Sequence, residues 1–291
     1  MNYRHAFHAG NFADVFKHAV LVRLILGLQR KDAAFRILDT HAGIGLYDLA
    51  ADEATRTGEW RDGIARLLAK PLAGAAAELI APYLATVAGA NDHEPAAGPL
   101  APEALRHYPG SPAIARTLLR RQDRLTLTEL HPADAQTLAA RFAGDIQTKV
   151  IELDGWLAPK SFLPPKERRG LVLIDPPFES RDEFRHLTDA LVEGYRRFAT
   201  GVFALWYPIK DEAEVKRFYA RLADTGIRKI LAAEFRVARV AADRPLSACG
   251  MVVVSPPWQL DGEIATLGRA LAERLSVGPG AGASVRWIVP E

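Results

Sequence analysis

Asp175-Pro176-Pro177-Phe178 directly follow the apolar run 171–174 and could hold and activate an amine. The prolines fix φ at about −65° and stiffen the loop. The carbonyl of Pro176 is free to accept from an amino group, and the Asp175 carboxylate can accept its second N–H. Two acceptors on one NH₂ draw the nitrogen lone pair out of ring conjugation and aim it at an electrophile. Phe178 could stack on the ring that carries the amine, a contact worth ~1–3 kcal/mol. A plain strand terminator with a capping Asp would use the same residues. Placement of the acid at the carboxyl end of a strand argues for the chemical reading.

A second set follows the short strand predicted at 35–38: Asp39-Thr40-His41-Ala42-Gly43-Ile44-Gly45. It resembles the first-strand glycine loop of S-adenosylmethionine-dependent enzymes, with His41 in place of the first glycine. Gly43 and Gly45 permit close backbone approach to a cofactor. Alone such a loop is a weak signal, since plain turns use the same glycines. The Asp-Pro-Pro-aromatic set is similar to the signature of enzymes that methylate an exocyclic or amide nitrogen, and the two together reinforce each other. Glu129 closes the next strand, where an acid is expected to accept from both ribose hydroxyls. It lies 84 residues beyond Gly45 instead of the usual ~20, and an intervening helical insert accounts for the excess. Asp154-Gly155 close the third strand, where such folds contact an adenine amine.

These residues need a scaffold that brings strand ends together. Apolar spacing predicts a helix over 12–30 with Asn11 as its N-cap. Strands are predicted at 35–38, 125–128, 149–153, 171–174, 202–206, 230–237 and 249–254. Helices follow the second strand, at 182–198 and at 212–223. Strand–helix alternation implies a mostly parallel seven-stranded sheet covered on both faces, an α/β Rossmann-like arrangement. Ligands then sit beyond the strands' carboxyl ends at the topological switch point. Residues 52–107 are rich in Ala, Gly and Pro and read as a small inserted helical subdomain. This divides the chain into a catalytic domain, 1–51 with 108–291, and the insert. A glycine-rich linker at 278–282 precedes a last short apolar segment.

The 291 residues are 49% hydrophobic and 25% charged, which excludes disorder as the main state. One cysteine excludes a disulfide framework and a cysteine zinc site, and favours a reducing, cytoplasmic setting. No secretory leader is visible, and the apolar stretch 72–90 is too interrupted by Glu78, Pro82 and Gly89 for a membrane span. The net charge of +2 neither demands nor forbids a polyanionic partner. Local basic clusters occur at Arg116, Arg120, Arg121 and Arg124, at Lys166, Arg168 and Arg169, and at Arg196 and Arg197. Each could equally be a solvated helix face. His5, His8 and His18 with Asp14 invite a metal reading, but their spacing matches no zinc pattern, and no metal is expected.

The run Tyr3-Arg4-His5-x-Phe7-His8-Ala9-Gly10-Asn11-x-Ala13-Asp14-Val15-x-Lys17-His18 closely resembles the start of the RlmJ family. Leu38 to Gly43, Tyr108-Pro109-Gly110-Ser111-Pro112, Glu129-Leu130-His131-Pro132, Asp154-Gly155 and the stretch from Leu173 to Glu179 resemble its other signatures. The resemblance implies a class I S-adenosylmethionine-dependent methyltransferase fold with a helical insert. It implies transfer of a methyl group to N6 of an adenosine in large-subunit (23S) ribosomal RNA. Cofactor contacts would come from His18, His41, Ser111, Glu129, Asp154, Gly155 and Asp175, with Asp175 also catalytic. Tyr3, Arg4, Pro176 and Phe178 would meet the substrate. Phe178 stands where many relatives carry Tyr, so stacking survives and a hydroxyl contact is lost. The expected partner is protein-free or early-assembly ribosomal RNA, met by a cytoplasmic monomer with no membrane contact. The alternatives are a DNA adenine-N6 methyltransferase, a protein glutamine-N5 methyltransferase, whose loop usually begins with Asn, and an RNA-binding protein without catalysis.

Overall fold

A computed structural model describes residues 5–94, 98–180, 182–241 and 246–291. The expected contacts of Tyr3 and Arg4 lie outside the described residues.

The first helix, α1 (Phe12–Gln29), begins where Asn11 accepts from the backbone N–H groups of Ala13 and Asp14, satisfying two donors of the first turn. Thirteen of its eighteen residues are buried, so it is a core helix rather than an amphipathic surface one. Then come β1 (Arg36–Asp39), β2 (Leu46–Asp48), α2 (Asp52–Thr57), α3 (Ile64–Ala69), α4 (Gly74–Gly89), β3 (His107–Pro109) and α5 (Ser111–Leu118). They are followed by β4 (Arg124–Glu129), α6 (Pro132–Arg141), β5 (Thr148–Glu152), α7 (Ala158–Phe162), β6 (Gly170–Ile174), α8 (Glu183–Arg197) and β7 (Val202–Pro208). The chain closes with α9 (Glu212–Asp224), β8 (Ile230–Arg236), β9 (Ala248–Val254), α10 (Leu260–Leu275) and β10 (Gly282–Val289).

The main sheet has the order β10-β8-β9-β7-β6-β1-β4-β5. β1, β4, β5, β6 and β7 are parallel, while β9 runs against β7 and β8, and β10 runs against β8. All seven expected strands are present. The eighth, β10, corrects the seven-strand expectation: the last apolar segment pairs along the β8 edge. A two-stranded ribbon, β2 with β3, also joins the ends of the helical stretch, where no strand was expected.

Side-chain alternation divides the core into two layers. Ile37, Leu171 and Leu173 face one side with α1, α5 and α10, whereas Leu38, Val172 and Ile174 face the other with α8 and α9. Residues of α3 and α4, among them Leu67, Ile80 and Tyr83, share the α1 layer. The order reverses at β1, between β4 and β6, which makes the carboxyl ends of β1 and β6 the switch point.

Candidate active site

At that switch point a cleft of about 1390 Å³ opens. Loops after β1, β4, β5, β6 and β7 line it, together with the start of α1. β1 and β6 pair in register, and the backbone N–H of Thr40 donates to the Leu173 carbonyl at 3.0 Å. This brings the glycine loop and the Asp-Pro-Pro-Phe loop side by side.

Lys17 is the cation at the centre. Its Nζ donates to Asp175 Oδ2 at 2.5 Å and pairs with Asp14 Oδ1 at 2.8 Å. Asp14 Oδ2 in turn accepts from Gly10 N–H and meets His5 Nε2, both at 2.9 Å. Burial opposes the charge on Lys17, but the two carboxylates outweigh it and hold the ammonium well above its usual range. Burial likewise opposes the charge on Asp14, and the charges of His5 and Lys17 pull its carboxyl well below the usual range. Trp206 lies 5.8 Å from the ammonium at ring centre. Lys17 and Trp206 were not among the expected site residues. A signal was available for Lys17: a charged residue in an otherwise apolar core helix, three residues after an acid, has to be paired.

Ser111 Oγ donates to Asp39 Oδ2 at 2.7 Å. Burial pushes the Asp39 carboxyl up to about 7, the Ser111 hydrogen bond opposes this, and the charge of Asp175 adds to it. Glu129 accepts from Gly43 N–H at 2.8 Å and from His131 N–H at 2.9 Å, tying the glycine loop to the end of β4. Gly43 has φ +62°, and a Cβ there would run into the Tyr47 hydroxyl.

His18 Nδ1 and the Tyr108 hydroxyl share a hydrogen bond of 2.8 Å, and Tyr108 bonds Tyr83 at 3.0 Å. His18 Nε2 is buried without a partner, and burial pushes the imidazole down to about 3, so the ring is neutral. Burial also brings His41 to about 3, and its ring meets Trp156 edge-on at 5.0 Å. Asp154 accepts from Trp156 N–H at 3.0 Å. Gly155 sits so close to the β1 loop that a Cβ would lie 2.6 Å from His41 Nε2 and closer still to the Thr40 carbonyl.

Phe178 has φ +53°, a left-handed conformation that costs a non-glycine residue roughly 1–2 kcal/mol. Packing offsets this, with Phe184 at 5.1 Å and Trp206 at 5.9 Å, both edge-on. The expected residues His18, His41, Ser111, Glu129, Asp154, Gly155, Asp175, Pro176 and Phe178 all line this cleft.

The other N-terminal histidines have protein partners: His5 meets Asp14 and His8 meets Glu59. Among the described residues no three His, Cys, Asp or Glu side chains are placed to hold a metal ion. No described helix is long and apolar enough to cross a membrane. Of the basic clusters, Arg116 pairs with Asp145, and Arg196 and Arg197 pair with Glu193.

The family model for ribosomal RNA large subunit methyltransferase D, RlmJ, matches residues 32–289. The chain is 45% identical over 291 residues to ribosomal RNA large subunit methyltransferase J of Escherichia coli (strain K12), covering 100% of both proteins. It is 44% identical over 292 residues to the protein of the same name from Haemophilus influenzae (strain ATCC 51907 / DSM 11121 / KW20 / Rd), again covering 100% of both. A crystal structure of a Legionella pneumophila protein matches with a TM-score of 0.84 at 31% identity, covering 96% of this chain and 98% of that one.

Proposed function

Because this chain belongs to the RlmJ family of ribosomal RNA large subunit methyltransferases, we propose that it methylates N6 of one adenosine in large-subunit ribosomal RNA, with S-adenosylmethionine as donor. The meeting of the Asp-Pro-Pro-Phe loop and the glycine loop on one cleft carries this reading.

The residues present fit the donor. Glu129 uses two of its roughly four acceptor positions on backbone N–H groups, which leaves capacity for ribose hydroxyls. His18 Nε2 is a buried polar atom that lacks a partner. Ser111, Asp39, Asp154 and the backbone around Gly43 and Gly155 would complete the cradle. When bound, the donor supplies an electrophilic methyl group whose leaving group is a neutral thioether.

The chain's own residues then orient the acceptor. Lys17 occupies Oδ2 of Asp175, leaving Oδ1 to accept one N–H of the adenine amine. The Pro176 carbonyl accepts the other, and the nitrogen lone pair turns toward the cofactor side of the cleft. Phe178 stacks on the base. Asp175 acts as a polariser; the amine's proton is lost readily once methylation makes the nitrogen cationic. Positioning supplies most of the acceleration. N6 is unreachable inside a helix, so the adenosine enters unpaired or flipped.

Incubation of unmodified, protein-free ribosomal RNA with methyl-labelled donor tests the reading, with the label mapped by nuclease digestion. The label should fall on N6 of one adenosine. Asp175→Ala should weaken cofactor affinity only slightly and lose about 10²–10³ in single-turnover rate, by analogy with loss of one transition-state hydrogen-bonding group. No label on the RNA, label at a position other than adenosine N6, or a variant retaining more than about a tenth of the rate, would overturn it.

A further inference from the structure

The two remaining basic clusters lie at the amino ends of the parallel strands, away from the cleft. Arg124 opens β4 beside Arg36 of β1, and Arg36 also pairs in register with Gly170, which opens β6. Arg120 donates to the carbonyls of Lys31 and Ala33, and Arg169 donates to Ala33 as well. Three segments, 31–36, 120–124 and 166–170, are thus stitched into one surface. They carry eight Lys or Arg and three carboxylates, a surplus of five charges. The whole chain has a net charge of only +2, so the rest of it is net negative. Two of the three carboxylates are already engaged within the cluster, Asp123 by Arg120 and Glu167 by Arg36. Lys31, Arg121, Lys166 and Arg168 are exposed and form no ion pair among the described residues.

An aromatic ring stands at the same edge. β9 is antiparallel, so its last residue, Val254, pairs with Phe203 and Ile230 near the starts of β7 and β8. The loop that follows presents Trp258, which is 80% exposed. Its carbonyl is held by Arg30 Nη1 at 2.7 Å, beside Lys31. A tryptophan this exposed offers a face to a nucleobase.

We propose that this edge is a second RNA-contact surface. Lys31, Arg121, Lys166 and Arg168 would neutralise backbone phosphates while Trp258 stacks on an unpaired base. It rests on the reading above that the substrate is large-subunit ribosomal RNA. The five-residue β6 separates the two edges by roughly 16 Å, so only an RNA large enough to wrap the sheet's end reaches both. Phosphate contacts there position the substrate without reading its sequence. The surface therefore raises affinity for long RNA and leaves the chemistry in the cleft unchanged.

The test compares the full-length protein with a variant carrying Lys31→Gln, Arg121→Gln, Lys166→Gln and Arg168→Gln, and separately with Trp258→Ala. Binding of protein-free large-subunit ribosomal RNA is measured across a salt series, alongside methyl transfer at saturating RNA. The quadruple variant should reduce the slope of log affinity against log salt by about 3, at roughly 0.7–0.9 per phosphate contact. Trp258→Ala should weaken binding roughly five- to hundredfold with the slope unchanged. Transfer at saturation should stay at the wild-type rate in both. If the quadruple variant fails to fold, Lys31→Gln and Arg168→Gln alone should each lower the slope by about 0.7–0.9. Unchanged affinity and slope, with the wild type still methylating the RNA, would overturn the surface and leave the proposed activity standing. Weakened binding with no transfer by the wild type would retain the surface and overturn the activity.

Discussion

Lys17 and Asp175 are 158 residues apart in the chain, yet the ammonium of one donates to the carboxylate of the other at 2.5 Å. Their meeting joins the start of the first helix to the loop after β6, and it is the only ion pair drawn between Asp175 and another described residue. The acceptor loop is therefore oriented by the N-terminal segment as well as by its own strand.

Lys17→Met should be strongly destabilising. It leaves Asp14 and Asp175 facing each other with no cation between them, and breaking a buried pair from one side costs about 3–5 kcal/mol. Asn at position 14 in the same background should recover part of the loss. Urea denaturation of the four proteins in this cycle measures the coupling; a Lys17→Met protein as stable as wild type would refute the account.

Asp39 makes stability depend on pH in a direction opposite to that of an ordinary ion-paired acid. Its carboxyl rises from 3.8 to about 7 on folding, chiefly through burial. Between those values the native state binds more protons than the unfolded one, so this contribution is present below about pH 4 and is lost as pH climbs to 7. Asp39→Asn keeps an acceptor for Ser111 and removes the titration. The stability difference, variant minus wild type, should grow by as much as a few kcal/mol between pH 4 and 8. A flat difference curve would show that Asp39 ionises normally.

Glu129→Gln should weaken S-adenosylmethionine binding by about 10- to 100-fold, the worth of charge-assisted hydrogen bonds to the ribose. Turnover at saturating cofactor should change less, because ribose is held alike in the ground and transition states. Calorimetric titration decides it: unchanged affinity would reduce Glu129 to a tie for the glycine loop.

Gly155→Ala should damage the cofactor cradle without removing a functional side chain. The added methyl meets the Thr40 carbonyl and the His41 ring, so the β1 and β5 loops must separate. Overpacking of this kind costs about 1–3 kcal/mol. Thermal unfolding and cofactor titration should both register it, and wild-type values in both would mean that the loops yield freely.

Much of the site was legible because apolar strands ending in acids announce themselves. Asp39, Glu129 and Asp175 each terminate a buried run, and Asn11 stands just before the first periodic residue. Lys17 does not stand out by periodicity because apolar spacing marks core-facing residues, and in α1 the thirteen buried positions include charged ones. β10 was missed for the opposite reason. It lies on the sheet edge with most side chains partly or fully exposed, so Gly282–Val289 lacks the apolar run of a central strand. Whether a basic cluster faces the cleft was equally hidden, since that depends on which end of a strand it adjoins.

The ion pair of Arg23 with Glu263 spans 240 residues and fastens the first helix to the last. On the ribosome, where chains grow at ~5–20 residues per second, α1 emerges roughly 12–48 s before α10. Throughout that interval an eighteen-residue helix, thirteen of whose residues are buried in the finished fold, has no completed core to enter. α1 is therefore sealed only once α10 has been made. Newly made chains should depend on chaperones that hold apolar helices, and chains truncated before α10 should be prone to aggregation.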